Sequence, residues 1–328
     1  MRCLLFPISL IIRSGCQIKK FFYNMGIFTP NKAPFPVISI GNISFGGSEK
    51  TPLAMNLLSF LLKHGLKPAL ITRGYKGKWE KSGGILSDGE NIYGSWEESG
   101  DEPFMVAQRI PQAGIFIGKN RSFSCEKAKH LGFDAGVLDD GFQHRRLYRD
   151  LDIVLYDPSE KIALREPVSS LKRAHIIFVK KKLDTKSKEK IRERFHQASV
   201  LEYSVISKGF YRLKDKTRVP AEYLKGKRIL VFCGIARPER FFLLLEAEGI
   251  KPHFFLKFSD HHPYHLPSLK KIAEKSQKLH AEVLITTEKD AVKIYDSQDF
   301  LKIPVYYQKI DLEVEEKFYK KILTFLKI

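Results

Sequence analysis

Cysteine is scarce in this chain. Four residues, Cys3, Cys16, Cys125 and Cys233, are scattered through 328 positions with no CxxC pair. That argues against a disulfide framework or a zinc site and fits a reducing compartment. Acidic residues are few beside basic ones: 37 Asp and Glu against 56 Lys and Arg, a formal net charge of +19. Such an excess concentrates anionic partners, whether nucleic acid, anionic lipid or a phosphorylated substrate. Zinc-finger spacing and an RNA-binding aromatic signature are both missing, so nothing points to nucleic acid. There is no low-complexity tract and no internal repeat. Long hydrophobic runs are also missing, since the apolar stretch 3–12 is too short to span a bilayer and Pro7 interrupts it.

That N-terminal stretch still needs a role. Arg2 followed by 3–12 mimics a signal peptide, with a lipoprotein cleavage site before Cys16, but Arg13 sits where a small or apolar residue belongs. The preferred expectation is a membrane-associated amphipathic helix within residues 1–30. Leu10, Ile11, Phe21, Phe22 and Met25 supply its apolar surface, and Arg13, Lys19 and Lys20 face anionic headgroups. The plainer alternative is a helix that packs on its own domain.

What is present is ordinary globular material, 43% hydrophobic and 28% charged, enough for two cores. From Pro36 onward short apolar runs alternate with helical stretches. Strands are expected at 37–40, 69–72, 114–117, 135–138, 153–156 and 176–179, and a helix at 51–64 with Pro52 in its first turn. The alternation predicts an α/β fold, a mostly parallel sheet with helices on both faces. Between 200 and 213 the pattern changes to what look like hairpin strands. A second strand–glycine–helix unit then runs from 228 through 248, and further strands are expected at 283–286 and 305–308. The expected organisation is a first lobe at 31–198, a two-stranded linker at 199–215, and a second, smaller α/β lobe at 216–328, onto whose predecessor the last helix could also fold back.

The segment from Gly41 to Thr51 leaves a strand and enters a helix, where a phosphate-binding loop must sit so that backbone N–H groups and the helix N-terminus face an anion. Lys50 would reach the β- and γ-phosphates and Thr51 would offer its hydroxyl to Mg²⁺. The strict GxxxxGK[ST] pattern fails twice, at Ser44 and at Glu49. A carboxylate about 5 Å from a phosphate costs roughly 3 kcal/mol per unit charge at an effective dielectric of about 20. The cost is avoided if the Glu49 side chain points to solvent.

Carboxylates elsewhere support the loop. Asp139-Asp140-Gly141 follows an apolar strand, which suits a pair that holds Mg²⁺ directly or through water; its plain alternative is an Asp-Gly turn. Asp101-Glu102-Pro103 is either a helix start or the source of a base for an acceptor hydroxyl. In Asp260-His261-His262, adjacent residues seldom point the same way, so an orienting partner for a catalytic acid is more plausible than a metal site.

The blocks PVISIGNISFGGSEKTP, ITRGY, SGDEP, DDGFQHRRL, LREP, FCGIARPERFF, SDHHPY and TEKDAVK occur in an order that closely resembles the tetraacyldisaccharide 4'-kinase family. The resemblance runs from about Leu10 to the C-terminal region. It implies a P-loop NTPase-like fold of two α/β/α lobes joined by a two-stranded linker, with the nucleotide site between them. It implies ATP and Mg²⁺ as cofactors, a lipid A disaccharide 1-phosphate as acceptor, and action at the cytoplasmic face of the bacterial inner membrane.

Carried over by motif, Gly46, Gly47, Ser48, Glu49, Lys50 and Thr51 form the nucleotide loop, with Lys50 also catalytic. Asp139 and Asp140 stand near the metal, with Glu102 and Thr51. Asp101 is the base and His261 its partner. Tyr75, Arg121, Gln143, His144 and Arg165 lie near the sugar-phosphate substrate. Gly234, Arg237, Thr287, Glu288 and Lys289 form the second lobe's side of the nucleotide cleft. Glu49 departs from the family's GGxGKT pattern. Two competing readings remain: a P-loop GTPase switch, for which Lys181-Lys182-Leu183-Asp184 imperfectly resembles a guanine-reading motif, and a membrane-bound family member whose nucleotide binding Glu49 impairs.

Overall fold

The computed structural model describes residues 23, 25–47, 49–160 and 164–327. Most of the expected N-terminal helix, including Leu10, Ile11, Arg13, Lys19, Lys20, Phe21 and Phe22, lies outside the described residues, as does Ser48; Met25 is described and exposed.

The strands are β1 (Val37–Asn42), β2 (Pro68–Thr72), β3 (Gly84–Asp88), β4 (Gly114–Ile117), β5 (Ala135–Asp139), β6 (Leu151–Leu155), β7 (Ile176–Lys180), β8 (Ser199–Arg212), β9 (Arg218–Val219), β10 (Ile229–Cys233), β11 (Phe254–Lys257), β12 (Val283–Thr287) and β13 (Val305–Val314). They form one 13-stranded sheet in the order β11-β10-β12-β13-β8-β7-β6-β1-β5-β2-β4-β3, with β9 paired to β8. The helices that position the site are α1 (Lys50–Lys63), α2 (Asp101–Arg109), α3 (Arg121–His130), α4 (Thr185–Arg194), α5 (Pro238–Ala247), α6 (Leu266–Lys278), α7 (Glu288–Ala291) and α8 (Glu316–Leu326).

The central strands are parallel and buried on both faces, which is why they read as continuous apolar runs. Their side chains still divide by the two-residue period. Ile38, Ile40 and Leu70 join Leu53, Leu57, Leu58 and Leu61 of α1 in one core. Val37, Ala69 and Ile71 face the other way, onto Cys125 and Ala128 of α3. Helices therefore cover both faces, as the alternation predicts. At the sheet edge β3 runs antiparallel to its neighbour β4.

The segment read as hairpin strands is different. β8 is one continuous strand of 14 residues. One edge runs parallel to β7, and the other pairs antiparallel with β13, from Arg212 opposite Tyr306 to Tyr203 opposite Val314. The second strand of this ribbon thus comes from near the C-terminus. Local alternation carries no information about a pairing partner a hundred residues away. The second lobe continues the same sheet through β12, β10 and β11, all parallel, with Phe241 and Leu245 of α5 on one face and Leu269 and Ile272 of α6 on the other.

The boundary at 215 does not hold for α8. Its Phe318 and Ile322 are fully buried in the same core as Leu58 and Phe178, so the C-terminal helix returns to the first lobe. Among the described residues no helix is long and apolar enough to cross a membrane.

Candidate active site

β1 lies between β5 and β6, so the chain leaving Asn42 emerges where the strand order diverges, the usual place for a ligand in a parallel sheet. The loop that follows delivers Lys50 to the first position of α1. Lys50 Nζ stands 3.2 Å from Asn42 Oδ1 and 3.3 Å from Asp140 Oδ1. Gly46 has φ 95°, and the Arg237 guanidinium from the second lobe packs over it. Glu49 has φ 57° and ψ 24°, the left-handed conformation that glycine adopts most easily. Its side chain is only 11% exposed, so solvent is not where it points. It makes no capping bond to α1. Instead Arg240 Nη1 donates to Glu49 Oε1, and the Tyr203 hydroxyl donates to Oε2 at 3.3 Å.

The acidic pair sits at the end of β5. Asp140 takes φ 52° and turns its carboxylate to Arg165 at 2.7 Å and to Lys50. Burial pushes its carboxyl up, but these two cations outweigh burial and hold it well below the usual carboxylate range. Asp139 has less relief, for Lys50 lowers it too weakly to offset burial. Burial, reinforced by the Glu102 charge, pushes it up to about 7. Its Oδ1 is enclosed with no hydrogen-bond partner among the described residues. Thr51 Oγ1 donates to Glu102 Oε2 at 2.9 Å. Thr51, Glu102, Asp139 and Asp140 all line one cavity. An orphaned carboxylate oxygen within an all-oxygen donor set fits a hard divalent cation such as Mg²⁺.

Across the cavity Asp101 opens α2, and His261 approaches from a second-lobe loop with its Nδ1 2.9 Å and 3.0 Å from the two Asp101 carboxylate oxygens. Lys289 Nζ donates to Glu102 Oε1 at 2.7 Å and lies 3.3 Å from His261 Nε2. The imidazole thus spans the Asp101 carboxylate on its Nδ1 side and the Lys289 ammonium, with Asp260 at 3.7 Å, on its Nε2 side. Lys293, wholly enclosed, lies 3.5 Å from Asp101 and 2.7 Å from Asp290. Burial would raise Asp101, but Lys289, His261 and Lys293 more than offset it and hold its carboxyl well below the usual range. Glu102 is lowered in the same way, mainly by Lys289. Asp101, Glu102 and His261 offer ligand atoms within 4.8 Å of one another. Two lysines, Lys289 and Lys293, face that group.

The remaining candidates divide. Tyr75 meets His261 edge-on with ring centres 5.3 Å apart. Arg121 is pushed down to about 10 by burial and by the nearby Arg73 charge. Gln143 anchors to the Asn42 carbonyl at 2.8 Å. These three, with His144, Arg165, Gly47, Arg237, Thr287 and Glu288, line the same cavity of about 1740 Å³ as Lys50, Asp101, Asp139 and His261. Thr287 also caps α7, and Glu288 pairs with Arg109 of the first lobe at 3.1 Å. Gly234 does not line the cavity. Its N–H donates to Asp290, its carbonyl accepts from His261 N–H, and a Cβ there would come within 2.9 Å of His262 Cβ. It seats the histidine loop. Asp184 of the imperfect guanine motif is engaged as the cap of α4, bonding Ser187 N–H, and stands outside the cavity lining.

Sequence reasoning passed over Asn42, Arg109, Lys293 and Arg240. Only Arg240 left a signal: a carboxylate in a glycine's place asks for a cation, and Arg240 lies one helical turn beyond Arg237 in the FCGIARPERFF block.

The family model for tetraacyldisaccharide-1-P 4'-kinase, LpxK, matches residues 1–327. Relatives named tetraacyldisaccharide 4'-kinase include one from Desulfotalea psychrophila, 34% identical over 307 residues (88% of this chain and 86% of that one), and one from Syntrophus aciditrophicus, 33% identical over 329 residues (94% and 88%). Among solved structures, LpxK from Aquifex aeolicus in complex with ATP superposes with a TM-score of 0.77 at 29% identity, covering 99% of each chain. With the family model matched over almost its full length and relatives above 30% identity, the chain belongs to the tetraacyldisaccharide-1-P 4'-kinase family.

Proposed function

We infer that this chain transfers the γ-phosphate of ATP to the 4'-hydroxyl of a tetraacylated glucosamine disaccharide 1-phosphate, a step in lipid A biosynthesis. The observation that carries the reading is a continuous polar chain across the cavity. Thr51 at the phosphate loop bonds Glu102, Glu102 bonds Lys289, and Lys289 faces His261, which bonds Asp101. This linkage supports a reading in which the donor and acceptor halves of a phosphoryl transfer share one frame.

The chain's own groups have separable tasks. Lys50 would lie against the β- and γ-phosphates and offset their charge. Thr51, Asp139, Asp140 and Glu102 would hold Mg²⁺, which when bound neutralises phosphate charge. Asp101 would accept the hydroxyl proton as the new O–P bond forms and the bridging P–O bond to ADP breaks. A carboxyl held below the usual range is a weak base. It suits a reaction in which the hydroxyl is positioned first and gives up its proton late, as in a loose phosphoryl transition state. Arg165 and Arg121 favour the anionic parts of the substrate.

The acyl chains would stay in the inner membrane, with the enzyme on its cytoplasmic face. The net charge of +19 and the exposed Met25, Ile27 and Phe28 at the start of the described chain support that placement.

The test is phosphate transfer from γ-labelled ATP to a tetraacyldisaccharide 1-phosphate. Asp101→Ala is expected to lower kcat by about 10²- to 10⁴-fold while the KM for ATP stays within a few-fold. Full turnover by that variant would remove Asp101 from the mechanism.

A further inference from the structure

Glu49 places a carboxylate on the loop that has to accept polyphosphate. We propose that Arg240 of the second lobe is a positioning residue that draws the Glu49 side chain away from the phosphate site, so that ATP affinity in this chain depends on an ion pair between the lobes. The proposal rests on ATP binding at the phosphate loop.

Three observations carry it. First, the helix N-terminus behind Glu49 is the natural seat of an anion, and the Glu49 carboxylate is the nearest one in sequence. Yet it makes no bond to the N–H groups of α1. Second, both its oxygens are engaged elsewhere: Arg240 holds Oε1, and the Tyr203 hydroxyl, from the strand joining the lobes, holds Oε2. Third, Arg240 grips the loop twice, because the same Nη1 also donates to the Gly47 carbonyl at 2.9 Å. Arg240 is itself steadied by Asp157 at 3.7 Å and Glu160 at 3.5 Å. The pair is mostly enclosed, with side-chain exposures of 23% and 11%, so solvent does not substitute for the arginine.

Without Arg240 the carboxylate loses its main reason to lie aside. At about 5 Å from a phosphate, a unit charge at an effective dielectric of about 20 corresponds to a loss of affinity on the order of a hundredfold. Arg240 would not be needed where glycine replaced Glu49, and that dependence separates this role from a general structural one.

The experiment is a double-mutant cycle on the full chain: wild type, Arg240→Ala, Glu49→Gly and the combination, with ATP affinity and the KM and kcat for ATP measured for each. Arg240→Ala alone is expected to raise the ATP KM by about ten- to a hundredfold, with kcat changed by less than about threefold. In the Glu49→Gly background the same change is expected to alter KM by less than about threefold. Arg240→Lys, which keeps the charge but not the planar fork, is expected to recover part of the loss. An equal loss from Arg240→Ala in both backgrounds would overturn the proposal, because Arg240 would then act on ATP itself or on the fold. So would an unchanged KM in the single variant. If none of the four proteins bound ATP, the kinase reading would fail first and carry this inference with it.

Discussion

Lys293 and Asp290 are both wholly enclosed and stand 2.7 Å apart beneath the Asp101–His261 pair. Asp290 also accepts from Gly234 N–H and from the Thr287 hydroxyl, so one buried ion pair organises three segments of the site. Removing the cation leaves the Asp290 carboxylate without its ion-pair partner in a dry environment. Lys293→Met is expected to cost about 3–5 kcal/mol of unfolding free energy by urea denaturation, and a loss under about 1 kcal/mol would show that the pair is not a support. At this scale the sequence was most informative where chemistry is local. Lys50 and Thr51 follow a strand and open a helix, and Asp139 and Asp140 lie at the end of β5, so the place of each in the fold can be read from its neighbours. Arg240 and Lys293 act across the fold. Nothing in their flanking residues says which carboxylate they will meet.

Among the elements, α8 shows how a segment distant in sequence can complete a core. Phe318 packs edge-on against Phe178 with ring centres 5.2 Å apart, and Tyr319 stacks on Phe60 of α1. Phe318→Ala is expected to destabilise the protein by about 3–5 kcal/mol, measured by thermal or urea unfolding with ATP absent. A variant as stable as wild type would show that α8 is dispensable to the first lobe. Most of the parallel strands were legible because burial on both faces makes them short apolar blocks. β8 was misread as two strands because Ser207 and Gly209 interrupt its apolar pattern. That interruption sits beside the register shift between Lys309 and Ile310 of β13, a bulge visible only once the partner is known. β3 and β11, short and half-buried at the two ends of the sheet, carry too little periodicity to stand out.

The whole molecule carries a charge of +19 and meets a lipid-borne anionic substrate in the proposed reaction. Its attraction to a membrane should therefore depend on lipid charge and on salt. Sedimentation with vesicles is expected to recover the protein with anionic but not zwitterionic lipid at low salt, and much less above about 0.5 M salt. Binding indifferent to both would place the affinity in apolar insertion instead. The sheet that runs through both lobes has a mechanical consequence. The chain crosses between the lobes twice, along β8 and along β13, and the two crossings are hydrogen-bonded to each other. There is no slack joint at this seam. If the cleft opens and shuts over its ligands, it must do so as a leaf spring does, by flexing a ribbon that stays intact through the irregular step at Lys309 and Ile310.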